Sequence, residues 1–214
     1  MPASLELPWR PLDLLDEEQV ERVHMASLRI LEETGLEFQD DEALSLWSGA
    51  GAEVDLRAQR VRLDRGLVLE LIAKAPRSFT WRARNPERTR QIGGNYITFC
   101  SNGGVIFAQD LDKGRRPGTL EDYYNFLKLT QICPVLHFTG DQLVVPHDVR
   151  VSYRHLHRSY GAYTLCDKPA MEAPHGRIIA DDAVKMASIV FQEDITATLD
   201  KGPALGGIIN SSSP

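Results

Sequence analysis

The sequence predicts an α/β protein: an α+β extension over residues 1–118, followed from residue 119 by strand–helix units of one parallel sheet. Three observations carry this expectation. After Pro134 the apolar runs "VLHFTGDQLVV", "LCDKPAMEA" and "ALGGIIN" recur at intervals of roughly 30–36 residues, with helical patterns between them. The last of these, Ala204 to Ile209, is small and apolar on both faces, as a parallel strand covered from each side requires. Before Pro117, short helical stretches instead alternate with strand patterns broken by turn residues.

The elements follow in order. Asp16 and Gln19 have capping-box spacing and open a helix whose Val20, Val23, Ser27, Ile30, Leu31 and Thr34 share one face, closed by Gly35. A second helix runs from Asp40 to Trp47 and stops at Gly49; "GAGAEV" mimics a dinucleotide-binding pattern but follows a helix, so it reads as a helix stop. "RVRLDRGLVLELIAKAP" is a strand, a cap at Asp64 and a helix ending before Pro76. "SFTWRAR" alternates as a half-buried strand, and the apolar runs flanking Ser101-Asn102-Gly103-Gly104 predict a hairpin over residues 91–109. Thr119 with Asp122 caps the next helix, and "DVRVSYRHLHRSYGAY" is another. "RIIADDAVKMASIVFQ" places Ile179, Ala183, Met186, Ala187 and Val190 on one side of a third.

Composition sets limits on partners. The chain has 214 residues, 43% apolar and 25% charged, in the range of ordinary globular domains. A net charge of −6 does not suit a nucleic-acid-binding body, which would carry a basic face. The local cluster Arg82, Arg84, Arg88 and Arg90 reads as a solvated rim. The N-terminus lacks the pattern of a signal peptide, and no window approaches 18 apolar residues, so no membrane span is expected. Cys100, Cys133 and Cys166 read as reduced, buried thiols of a cytoplasmic protein.

Four stretches, "DLDKGRRPGTLEDYYNFLKL", "LHFTGDQLVVPHDV", "LCDKPAMEA" and "GIINSSSP", resemble in order and spacing the trimethylamine methyltransferase family. The resemblance extends from "ILEETGLEF" to the last residue. It implies an N-terminal α+β extension followed by the first part of a TIM (β/α)8 barrel, incomplete. It also implies transfer of a methyl group from a methylated amine such as trimethylamine or glycine betaine to a corrinoid protein. The corrinoid (cobalamin) would be carried by that separate partner, since the chain lacks a D-x-H-x-x-G stretch. A barrel takes about 250 residues, and roughly 80 follow Pro134. The chain is therefore expected to match the family's first half, to be inactive alone, and to self-associate through the open edge of its last strand. The rival readings are a non-catalytic remnant or interaction module, and another TIM-barrel enzyme.

A quaternary ammonium has no proton to lose, so its site needs aromatic faces or carboxylates, not a base. In a barrel, ligands meet the residues that follow each strand. The substrate-binding candidates are accordingly Asn210, Ser211, Glu172 and His175, with Asn102 reaching over the mouth; Pro146, His147 and Asp148 lie at the first strand end, Asp148 as a cap for the next helix. No catalytic residue is assigned. No metal site is expected: His155 and His157 are two apart on a helix and point to opposite sides, and neither Cys133 nor Cys166 has a second ligand nearby.

Overall fold

The computed structural model describes residues 5–8, 13–172 and 175–208. It divides into two compact units, Trp9–Pro76 and Met1–Pro8 with Arg77–Pro214. The chain enters on β1 (Leu5–Glu6), which belongs to the larger unit, and then builds the smaller one.

In the smaller unit, α1 (Glu17–Arg29) opens on the expected box. Asp16 accepts the Gln19 N–H at 2.8 Å, and the Gln19 amide oxygen accepts the Asp16 N–H at 3.0 Å. The helix loosens into a π turn over Ile30–Thr34, and Gly35 ends it at φ 69°. A Cβ there would lie 2.4 Å from the Val61 carbonyl oxygen, so glycine is required twice over, by conformation and by space. Strands β2 (Leu36–Glu37), β3 (Glu53–Asp55) and β4 (Arg60–Arg62) pair antiparallel in the order β2-β4-β3. Helices α2 (Asp41–Gly49) and α3 (Arg65–Ala73) carry Asp40 and Asp64 as caps. Leu44, Val61 and Leu63 form the core, with Leu31, Phe38 and Trp47 against it. The expected α1 stripe is corrected: Val20, Val23 and Ile30 are exposed, and Leu28 is the buried residue of the helix. The π turn adds a residue to the helical count, which brings Leu31 to the core and leaves Ile30 outside.

The larger unit begins with hairpins whose registers the sequence did not reveal. β5 (Ser78–Trp81) pairs antiparallel with β6 (Arg90–Gly93), β7 (Tyr96–Ile97) with β1, and β8 (Phe107–Asp110) with β9 (Gly114–Pro117). The hairpin expected about residues 101–104 is therefore absent; that segment lies beside residues 140–145 instead. α4 (Leu120–Ile132) starts on the Thr119–Asp122 capping box, and Arg116 adds an ion pair to Asp122. Thr119→Ala should cost about 1 kcal/mol by removing that cap, read as a lower urea midpoint with unchanged slope; no shift would mean that the remaining contacts at the helix start, from Asp122 with Arg116 and from Asp148, suffice to hold it.

Two short parallel pairings follow, joined by a single backbone hydrogen bond. Cys100 bridges Phe138 in parallel, and the His137 N–H donates to the Phe99 carbonyl at 2.7 Å. The Thr139 N–H donates to the Pro169 carbonyl at 3.2 Å, and β10 (Ala170–Met171) pairs parallel with β11 (Leu205–Gly206). Of the three expected strands, the second and third are present in part as β10 and β11, while the first is reduced to an isolated bridge at Phe138, whose partner Cys100 was not foreseen. α5 (Val151–Leu165) and α6 (Arg177–Phe191) provide the crossovers, and α4, α5 and α6 pack in succession. Tyr123, Leu127, Ala162, Tyr163, Ala170, Ala187 and Ala204 form the core between helices and strands. On α6, Ala183 and Ala187 are buried while Met186 and Val190 pack against that core, as the periodicity predicts.

A seventh helix, α7 (Ile195–Asp200), went unforeseen; its six residues, rich in β-branched side chains, rely on the Asp194 cap. The edge of β11 is less open than expected. The Arg82 N–H donates to the Pro203 carbonyl at 2.8 Å, on the side opposite the Gly206 carbonyl that serves β10. Of the arginine cluster expected as a solvated rim, Arg84 is exposed but the other three are not free. Arg82 pairs with Glu193 at 3.2 Å and lies over the Phe191 ring, Arg88 pairs with Asp167 at 3.6 Å, and Arg90 is buried, donating to the carbonyls of Glu87 and Thr89. Of the cysteines only Cys166 is buried; Cys133 is half-buried and Cys100 exposed. Among the described residues, no helix is long and apolar enough to cross a membrane.

Candidate functional site

The carboxyl ends of the parallel stretches lead into residues 101–105, 140–146 and Glu172. The first two segments run side by side. The Gly140 N–H donates to Ser101 Oγ at 2.9 Å, the Gly104 N–H to the Gln142 carbonyl at 2.8 Å, and the Val145 N–H to the Val105 carbonyl at 2.8 Å. A Cβ on Gly140 would sit 2.4 Å from the Ser101 carbonyl oxygen and 2.7 Å from that of Asn102, so the close approach depends on glycine. Asn102 is exposed and its side-chain oxygen accepts the Gly103 N–H at 3.0 Å. With Ser101 it forms the polar margin of a mostly apolar cavity of about 640 Å³, whose walls include Val105, Phe126, Cys133 and Leu143.

Glu172 lies one residue beyond β10 and is buried. Its backbone N–H continues the parallel ladder, donating to the Gly206 carbonyl at 2.7 Å. Its carboxyl is pushed up to about 6: burial dominates, opposed by the Ser159 hydroxyl and by the charges of Arg158 and His155. These three residues belong to the buried face of α5, which also carries Tyr163. Burial, with the Glu172 carboxylate adding to it, raises the hydroxyl groups of Tyr163 and Tyr123 well above the usual tyrosine range. Arg158 Nη1 donates to the Gln142 side-chain oxygen at 2.8 Å, and His155 Nε2 lies 3.0 Å from Asp182 Oδ2. Arg158 Nε and Nη2, Tyr163 Oη, His155 Nδ1 and Glu172 Oε1 are buried without protein partners. The cluster holds a buried carboxyl raised to about 6, hydrogen-bonded to the Ser159 hydroxyl and within the field of the Arg158 guanidinium.

The other sequence candidates are placed separately. His175 is exposed just before α6, and Asn210 and Ser211 lie outside the described residues. His147 is exposed and Pro146 buried. Asp148 does not cap α5, whose N-cap is Arg150; its carboxylate accepts the N–H of Leu120 at 2.9 Å and so caps the preceding helix, α4. The structure thus links the segment bearing Asn102 with residues 140–142, and these through Gln142 with Arg158 on α5, the helix whose Ser159 hydrogen-bonds Glu172. It does not bring His175 into that group. Among the described residues, no set of three His, Cys, Asp or Glu side chains is arranged to hold a metal ion.

Sequence reasoning passed over Arg158, Tyr163 and Lys168. A signal for the first two was present: residues 155, 158, 159, 162 and 163 are spaced as one helical face, and in "HLHRSYGAY" that face is polar. Lys168 gave no local sign. It is buried, and its ammonium donates to the carbonyls of Thr130, Cys133 and Leu136 at 2.6–2.7 Å, closing the C-terminal end of α4.

The described residues form a mixed α/β protein of small sheets and helices, and its family can be stated. The profile described as trimethylamine methyltransferase (MTTB) matches residues 3–214, and the chain belongs to that family of methyltransferases. Among curated relatives, the glycine betaine methyltransferase of Desulfitobacterium hafniense (strain Y51) is 36% identical over 94% of this chain and 41% of its own length. The trimethylamine methyltransferase MttB of D. hafniense (strain DSM 10664 / DCB-2) is 28% identical over 81% of this chain and 35% of its own. The proline betaine:corrinoid methyltransferase of Eubacterium limosum is 32% identical over 57% of the chain and 24% of its own length. The chain therefore spans about two fifths or less of these relatives.

Proposed function

We propose that the chain provides the first units of a cytoplasmic TIM-barrel methyltransferase that moves a methyl group from a tertiary or quaternary amine, such as trimethylamine or glycine betaine, to a corrinoid protein. The observation that carries this reading is the match to a glycine betaine methyltransferase over 94% of the chain at 36% identity. The reduced corrinoid, carried by its own protein, is the methyl acceptor: the C–N bond breaks with its electron pair left on nitrogen, and the acceptor supplies the pair for the new bond to carbon. A quaternary ammonium leaves as a neutral amine and needs no proton transfer, whereas a neutral tertiary amine takes up a proton on nitrogen before its C–N bond breaks, and Glu172, with its carboxyl at about 6, is a group able to carry that proton.

In this reading the barrel draws on the lead-in. The parallel bridge of Cys100 to Phe138 supports counting Phe99–Cys100 as a barrel stretch, so that Ser101 and Asn102 follow a strand as Glu172 does. The test is a fusion of this chain to the remaining C-terminal part of the D. hafniense glycine betaine methyltransferase, supplied with a reduced corrinoid protein. Formation of methylcobalamin with glycine betaine or trimethylamine is the expected result. A folded fusion that is inert with every tertiary and quaternary amine tried, beside an active intact relative, would overturn the proposal.

A further inference from the structure

We propose that Arg158 is a positioning residue that fixes the paired segments 101–105 and 140–145 from behind, through Gln142; the role in catalysis rests on the function proposed above. The argument begins with an imbalance. Arg158 is 4% exposed, yet of its guanidinium nitrogens Nη1 donates to Gln142 Oε1 at 2.8 Å while Nε and Nη2 are buried without protein partners. A buried guanidinium that depends on so few acceptors binds hard to the one it has, because a buried donor left unmade costs more than a made one contributes.

That acceptor sits on the segment that matters. The backbone carbonyl of Gln142 accepts the Gly104 N–H at 2.8 Å, so an anchored Gln142 also holds the turn that bears Asn102. Gly140 and Gly103 let the two segments meet at backbone distance, a Cβ on Gly103 falling 2.3 Å from Asp141 Oδ1. Segments that close move together, so a tie to one positions both. Glu172, whose carboxylate interacts with Arg158, supplies the counter-charge and sits at the end of the next parallel stretch. The path Arg158–Gln142–Gly104 thus ties two adjacent strand ends to the helix layer.

The test uses the chain itself, by hydrogen exchange of assigned backbone amides. Gln142→Leu and Arg158→Met are each expected to speed exchange at Gly104 about tenfold, and the double variant to be no faster than the faster single, since both cut one tie. The Glu172 amide, held by the Gly206 carbonyl at 2.7 Å, should be unchanged and report intact packing. Gln142→Glu, which keeps an acceptor facing Arg158, should retain protection at Gly104. Should Arg158→Met fail to fold, the contrast between Gln142→Leu and Gln142→Glu decides. Unchanged Gly104 exchange in Gln142→Leu, equal losses in Gln142→Glu and Gln142→Leu, or effects that multiply in the double variant would each overturn the proposal. In the fused enzyme, Gln142→Leu should raise KM for the amine severalfold with kcat within about twofold; an unchanged KM beside faster exchange would overturn the positioning role. Exchange is read without substrate, so its outcome stands apart from the methyl-transfer test.

Discussion

Lys168→Met should destabilise the larger unit by about 3–5 kcal/mol, a large part of the 5–15 kcal/mol that holds an ordinary domain together. Methionine matches the length and fills the space, so packing changes little and the hydrogen bonds are what is lost. The carbonyls of Thr130, Cys133 and Leu136, at 2.6–2.7 Å from the ammonium, lie at and just past the end of α4, where backbone acceptors lack helical partners. The positive charge also faces the negative end of the helix dipole. Urea unfolding followed by circular dichroism reads the effect as a lower midpoint at unchanged slope. A loss below about 1 kcal/mol would mean that water replaces the ammonium at all three carbonyls, and that the buried lysine is dispensable.

Glu172→Gln should act in the opposite direction, and only at one end of the pH scale. Burial lifts this carboxyl from 4.5 to about 6, so the native chain binds the proton more tightly than the unfolded one. Stability is therefore greatest below the unfolded pKa and falls as pH rises from about 4.5 through about 6, by roughly 2 kcal/mol in all. Glutamine has the shape of the protonated acid and carries no charge at any pH. The variant should be about 2 kcal/mol more stable than the parent at pH 7.5, about equal at pH 4, and without the parent's slope between. A variant less stable at pH 7.5 would show that the Arg158 pairing outweighs the cost of burying the carboxylate.

The features legible in the sequence are those decided by neighbours in the chain. The capping boxes at Asp16–Gln19 and Thr119–Asp122 close within one helical turn, and both were readable from spacing alone. The α6 face was readable for the same reason. Strand partners are chosen by distant segments, and there local reading failed. Ser101-Asn102-Gly103-Gly104 has the composition of a hairpin turn, but Gly140 offers it a backbone-close neighbour nearly forty residues away. The arginines at 82, 88 and 90 look like a wet basic surface until Glu193 and Asp167 arrive from beyond residue 160. At the candidate site, the position of Glu172 after a strand was legible. Its burial, and its contact with a polar face of α5, were not, because they depend on how a helix and a sheet meet.

The pairing of β1 with β7 has a bearing on the order of folding. Leu5 meets Ile97 and Glu6 meets Tyr96, and all of Trp9–Pro76 lies on the loop between them. Two hydrogen-bonded residue pairs offer little to offset the entropy of joining ends so far apart. That entropy scales with the logarithm of the flexible length, each halving of which recovers about 0.6 kcal/mol. When the smaller unit has already collapsed on Leu44, Val61 and Leu63, most of the loop is no longer flexible and the ends need search only a short tether. The N-terminal strand should accordingly dock late, after the unit it encloses, and be the first element released when that unit is destabilised.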